Sequence, residues 1–153
     1  MPCMFQSPPV MTIHCALSTQ LIQRFAGSLP YIFVGDFNIK PDSSMYNLIT
    51  KGSLEDTDPD VPPPLPGSDW SIDVKAMRSA YKVSLGREPE FTNFAKVRDS
   101  EAFIDTLDYV FLSPEWRVDS TEPLPERAST SGPFPTEDQP SDHLLLAASL
   151  KLD

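Results

Sequence analysis

Apolar residues recur three and four positions apart from Val10: Val10, Ile13, Leu17, Leu21 and Phe25, with Met11, Ala16 and Ile22 beside them. This spacing predicts a helix that lays the stripe on a sheet and stops at Gly27. Residues 1–9 read as an irregular lead-in. The pattern then changes. Tyr31-Ile32-Phe33-Val34 is a continuous apolar run after Pro30, which predicts a short strand buried on both faces. It ends in Gly35-Asp36-Phe37-Asn38. Pro41 and Asp42 open a second helical stretch, with Met45, Tyr46, Leu48 and Ile49 apolar and Gly52 after it. A short helix is predicted over 73–81, with Val74, Met77 and Tyr81 on one side, and a loop over 86–93. Thr106–Leu112 alternates as a strand does, with Leu107, Tyr109 and Phe111 on one face. Trp116–Val118 reads as a short partner strand, and Leu144–Leu150 as an apolar terminal strand. Strands and helices thus mix in one α/β domain. The polar Asp36–Asn38 turn follows a strand and precedes a helix, where ligand sites of layered α/β folds lie.

Composition narrows the class. The 153 residues suit one domain, and 40% hydrophobic residues suffice for a core. Proline, 17 of 153, is about twice its usual ~5% share. It concentrates in two acid-rich stretches, 55–69 and 119–140, which read as surface loops. Net charge is −10, from 12 basic and 22 acidic residues. Such a chain is a poor non-specific nucleic-acid binder, and a bound cation would have to bridge it to phosphate. No apolar run approaches the ~20 residues of a membrane-spanning helix. Pro2, Pro8 and Pro9 interrupt any signal-peptide pattern. Cys3 and Cys15 fit no zinc spacing and read as buried free thiols. Reduced thiols and the lack of a signal favour cytoplasm or nucleus.

Three carboxylates adjoin apolar strands. Asp36 closes one, Asp108 sits in a second, and Asp142 precedes a third. Carboxylates in such places are costly unless paired, hydrogen-bonded or metal-bound. Asn38, two residues after Asp36, offers a donor and an acceptor. His143, beside Asp142, can titrate near neutrality. Each has a plain alternative: Gly-Asp makes turns, and Ser-Asp-His can cap a strand. Ser141 lacks the strand-turn-helix elbow of a serine nucleophile. His14 reads as a structural histidine in the first helix.

In order, Gly35-Asp36-Phe37-Asn38, Leu107-Asp108-Tyr109-Val110-Phe111 and Ser141-Asp142-His143 resemble the C-terminal signatures of the endonuclease/exonuclease/phosphatase superfamily. Ser79-Ala80-Tyr81, Gly86-Arg87-Glu88-Pro89 and Phe91-Thr92-Asn93 resemble the branch that holds nocturnin, the carbon-catabolite-repressor deadenylases and the 2′,5′-phosphodiesterase. The resemblance runs from about residue 10 to the C-terminus. It implies the C-terminal half of a four-layer α/β sandwich, with a mixed, mostly antiparallel sheet and flanking helices. It also implies Mg²⁺-dependent phosphodiester hydrolysis (Mn²⁺ as the alternative metal) on RNA or nucleotides. Sister families hydrolyse phosphoinositides, sphingomyelin and abasic DNA.

The resemblance further assigns roles. Asp36 and Asp142 would hold the metal, whose preference is for hard oxygen ligands and retained waters. Asp36 and Asn38 would orient the attacking water. His143 would contact the scissile phosphate, and Asp108 would orient His143. Asn93 and Phe94 would lie near the nucleotide, Phe94 either stacking on a base or plugging its loop into the core. The superfamily's N-terminal signatures, a strand ending in Asn, a metal-binding Glu and a further His, do not occur in residues 1–153. A chain with only the C-terminal half would bind metal weakly, be weakly active or inactive alone, and expose an apolar face to a missing half-domain or to self-association. A non-catalytic remnant is the competing expectation.

Overall fold

The computed structural model describes residue 1 and residues 6–63, 67 and 71–152. Cys3 and parts of the 55–69 loop lie outside these.

Helix α1 spans Pro8–Ala26, starting two residues before the apolar stripe because Pro8 and Pro9 occupy its first turn. Strand β1, Ile32–Asp36, leads through the Phe37–Pro41 loop to α2, Ser44–Lys51. The Ser43 side chain caps α2 by accepting from Tyr46 N, and Gly52 ends it in the left-handed conformation. The two-residue strand β2, Arg78–Ser79, runs directly into α3, Ala80–Leu85. Then follow β3 (Asn93–Ala95), β4 (Phe103–Asp105), β5 (Asp108–Leu112), β6 (Trp116–Thr121) and β7 (Ala148–Leu152).

All strand pairs are antiparallel. A sheet β1-β5-β2 has β5 at its centre, and β3-β4 and β6-β7 form two ribbons. One face of β1-β5 carries the core. Met11, Cys15 and Ala16 of α1 and Leu48 and Ile49 of α2 close on Phe37, Tyr109 and Phe111. Tyr109 and Phe111 stack at 5.0 Å, and the Phe37 ring stands edge-on to both. Cys15 is a free buried thiol whose pKa burial pushes up to about 12, so it stays protonated.

Four sequence expectations need correction. First, α1 buries Met11, Thr12, Cys15, Ala16 and Thr19, while Leu17, Leu21 and Phe25 of the predicted stripe stay exposed, Phe25 at 80%. The two threonines are buried cheaply because Thr12 donates to Pro8 O and Thr19 to Cys15 O. Second, β1 is not covered on both faces: Val34 is 58% exposed, and among the described residues β1 pairs only with β5. Third, 73–77 is irregular, and the helix falls at 80–85, between the Ser79 cap and left-handed Gly86. Val74 and Met77 are nonetheless buried. Fourth, the terminal strand begins at Ala148 rather than Leu144, and β6 takes residues 119–121 from the second loop. No helix among the described residues is long and apolar enough to cross a membrane.

Candidate active site

The register of β1 on β5 sets Asp36 directly opposite Asp108. The Phe37 amide donates to Leu107 O at 2.9 Å and continues the contact past the strand ends. Gly35, at φ +140°, adopts a backbone that side-chain-bearing residues rarely tolerate and turns the chain into the Asp36 loop. Asp36 then closes an Asx turn. Its Oδ1 accepts from Asn38 N at 2.8 Å, and its Oδ2 accepts from Asn38 Nδ2 at 3.0 Å. Asn38 itself is left-handed at φ 53°, a conformation asparagine tolerates. Its Nδ2 also donates to Met1 O at 2.8 Å.

His143 Nδ1 lies 2.8 Å from Asp108 Oδ2. A carboxylate accepts only, so Nδ1 carries the proton in this contact and Nε2 is left for other partners. Burial alone would pull the His143 pKa down. The Asp108 hydrogen bond and the charges of Asp108, Asp36 and Asp142 outweigh it, and the net shift is upward. Thus Asp36, Asp108 and Asp142 all act on one imidazole.

The β3 strand knits these pieces together. Asn93 pairs with His143 as a β-bridge, Phe94 N donates to Asp142 O at 2.9 Å, and Leu144 N donates to Thr92 O at 2.7 Å. Asn93 Nδ2 reaches Asp142 O at 3.2 Å and Oδ2 at 3.4 Å. Asn93 is buried and so acts here on the Asp142 loop. The Phe94 ring packs edge-on between Phe91 and Phe134. His14, half-buried in α1, lies outside this group.

Sequence reasoning passed over Thr92. Its hydroxyl donates to Asp108 Oδ2 at 2.7 Å and accepts from Leu107 N at 2.9 Å and Asp108 N at 3.0 Å. It also passed over the Tyr109 hydroxyl, which donates toward Ile39 O at 3.0 Å and Thr106 O at 3.2 Å. Tyr109 thereby ties the loop after Asn38 to the turn before Asp108. In the sequence Thr92 and Tyr109 stand inside the Phe91-Thr92-Asn93 and Leu107-Asp108-Tyr109-Val110-Phe111 motifs, with no role given to either hydroxyl.

Asp36 and Asp142 supply the hard oxygens Mg²⁺ prefers, and the ion commonly takes one or two carboxylates and keeps waters. Among the described residues no group of three or more His, Cys, Asp and Glu side chains could hold a metal. The donors fit in kind but are few.

A profile of the Endonuclease/Exonuclease/phosphatase family matches residues 16–143. The chain belongs to that family. It is 30% identical over 133 residues to 2′,5′-phosphodiesterase 12 of Rattus norvegicus, covering 80% of this chain and 20% of that protein. It is 28% identical over 142 residues to Carbon catabolite repressor protein 4 homolog 4 of Arabidopsis thaliana, covering 88% and 30%. The human Nocturnin catalytic domain superposes with a TM-score of 0.63 at 20% identity, over 100% of this chain and 45% of that one. ANGEL2, a 2′,3′-cyclic phosphatase, also gives 0.63, at 21% identity over 95% and 53%. These two share the α/β-sandwich fold. The family chain described here thus spans under a third of those curated relatives' length and about half of those solved domains.

Proposed function

We propose that this chain carries half of a phosphodiester hydrolase site for RNA or nucleotides, with weak or no turnover by itself. One observation carries the reading: the Asp36–Asn38 turn, the Asp108–His143 pair and Asp142 come from three distant segments and act around one imidazole. When bound, Mg²⁺ would be held by Asp36 and Asp142 and would offset charge on the phosphate.

The chain's own groups supply the rest. Asp36, fixed by two hydrogen bonds from Asn38, accepts a proton or a hydrogen bond from a water nucleophile. Asn38, with its two amide hydrogens on Asp36 Oδ2 and Met1 O, orients that water by accepting from it at Oδ1. His143, held by Asp108 through Nδ1, presents Nε2 to a phosphate oxygen, and its raised pKa favours the donating imidazolium. Asp108 keeps the ring in that orientation. Asn93 holds the loop that bears Asp142. Phe94, packed between two phenylalanines, presents to a base only the part of its ring they leave free.

The experiment is hydrolysis of 5′-labelled 2′,5′- and 3′,5′-linked oligoadenylates at high protein concentration, with Mg²⁺ or Mn²⁺, against Asp36→Ala. Slow cleavage that Asp36→Ala removes supports the assignment. Cleavage unchanged in Asp36→Ala overturns the role of Asp36. No cleavage of either linkage by the parent replaces the hydrolase with the second reading, a non-catalytic remnant. That reading is favoured by the shortage of metal donors among the described residues.

A further inference from the structure

A cavity of about 330 Å³ is lined by residues of α2, β2 and α3. Lys51 at the end of α2, Arg78 of β2 and Lys82 of α3 line it, and Asp42 is the one carboxylate among its lining residues. The lining therefore carries 3 − 1 = +2 on a chain whose net charge is −10.

Elsewhere the cations of this chain are often neutralised. Lys40 pairs with Asp105, Arg87 with Glu90, and Arg117 and Lys151 with Asp119. Lys51, Arg78 and Lys82 have no carboxylate within ion-pair distance among the described residues. Arg78 is also held in place, because one guanidinium nitrogen donates to Pro114 O at 2.9 Å and to Trp116 O. Its Nε–H and Nη1 hydrogens remain for another partner. The floor contains the Tyr46 and Ser79 hydroxyls, both bonded to buried Glu88 behind them.

We propose that this cleft binds the phosphate group of a nucleotide or of a nucleic-acid strand, with Lys51, Arg78 and Lys82 as its cationic partners. Arg78 keeps single donors at Nε and Nη1, and the two ammonium groups supply mobile point charge. Met77 and Val83 give the cavity an apolar wall, and its volume lies at the small-ligand end of pocket sizes. The site is separate from the candidate active site. Arg78 pairs with Leu112 at one end of β5, while Asp36 pairs with Asp108 at the other. Four strand residues at ~3.4 Å each place those ends roughly 14 Å apart. The proposal does not depend on hydrolysis.

The test is a ¹H–¹⁵N NMR titration with inorganic phosphate, AMP and a short oligoadenylate, at low and high salt. Saturable shifts are expected at the Thr50, Lys51 and Lys82 amides. Equal affinity for phosphate and AMP assigns a lone phosphate; tighter, steeply salt-dependent binding of the oligoadenylate assigns a strand. Lys51→Glu with Lys82→Glu, both exposed positions, should weaken binding at least tenfold, with an unchanged circular dichroism spectrum as the control. The proposal is overturned if none of the three probes moves these amides, if only amides near Asp36 and His143 move, or if charge reversal leaves affinity unaltered.

Discussion

Thr92→Val isolates the role of one hydroxyl, since valine replaces it with a methyl of nearly the same size. A hydroxyl has one proton and two acceptor sites, and Thr92 uses all three, on Asp108 Oδ2, Leu107 N and Asp108 N. Thr92 is fully buried, so water cannot take over those contacts. A buried amide left unpaired costs ~1–3 kcal/mol, and loss of a hydrogen bond to a charged group ~1.5–3 kcal/mol. With partial relaxation the substitution should cost roughly 3 kcal/mol, well above the typical single-mutant effect of ~1 kcal/mol. Urea unfolding measures this directly, with Thr92→Ser as the control that keeps the hydroxyl. A second readout concerns the imidazole. Thr92 and His143 share Asp108 Oδ2. Without the threonine proton, the carboxylate leans more on His143, and its pKa should rise further, followed by NMR titration of the ring. A Thr92→Val protein within 0.5 kcal/mol of the parent on the ~1 kcal/mol scale of single hydrogen bonds, with the His143 titration unmoved, would refute this account.

The raised His143 pKa predicts a pH dependence of stability. The contribution is complete below the unfolded value of ~6.5 and is lost as pH rises through the higher folded value. His143→Gln should flatten that part of the stability profile, and an unchanged slope contradicts the Asp108–His143 pairing. At Gly52, a Cβ would stand 2.7 Å from Val74 O in a φ +82° backbone. Gly52→Ala should therefore destabilise the fold by more than the ~1–2 kcal/mol of left-handed strain alone, read as a lowered melting temperature. Leu21→Glu with Phe25→Glu should reduce apolar-dye binding and sedimentation-detected association without loss of stability, because both side chains are exposed. An equally associating double mutant would place the contact elsewhere.

Much of the architecture was legible because its signals were local. Gly27 and Gly52 mark the stops of α1 and α2, whereas the start signals at Pro8, Ser43 and Ser79 and the stop at Gly86 were not read from the apolar spacing. The alternation of Tyr109 and Phe111 with Val110 gives the central strand. What failed required knowledge of the partner surface. The stripe Leu17, Leu21, Phe25 shows that α1 is amphipathic, but threonines bonded back to their own helix entered the core instead. Val74, Met77 and Tyr81 have helical spacing, yet irregular chain buries the first two; Met77 N is taken by Ile49 O. Leu144 looked like the start of a strand, but its amide is held by Thr92, which ties it to β3 instead. Asp36, Asp108 and Asp142 stood out as candidates because charged groups beside apolar strands demand an explanation, and the family resemblance supplied the roles. Thr92 and Tyr109 escaped because nothing in a neutral hydroxyl's own neighbourhood names a partner 16 or 70 residues away.

The facing of Asp36 and Asp108 across an antiparallel ladder has a consequence for how the chain must assemble. Side chains in a strand switch faces at every step, so sliding β1 by a single position would turn Phe33 away from the core and Asp36 away from His143 together. Misalignment is therefore self-announcing. Any chain that has docked its phenylalanines correctly has also aimed its acids, and chemistry needs no proofreading of its own.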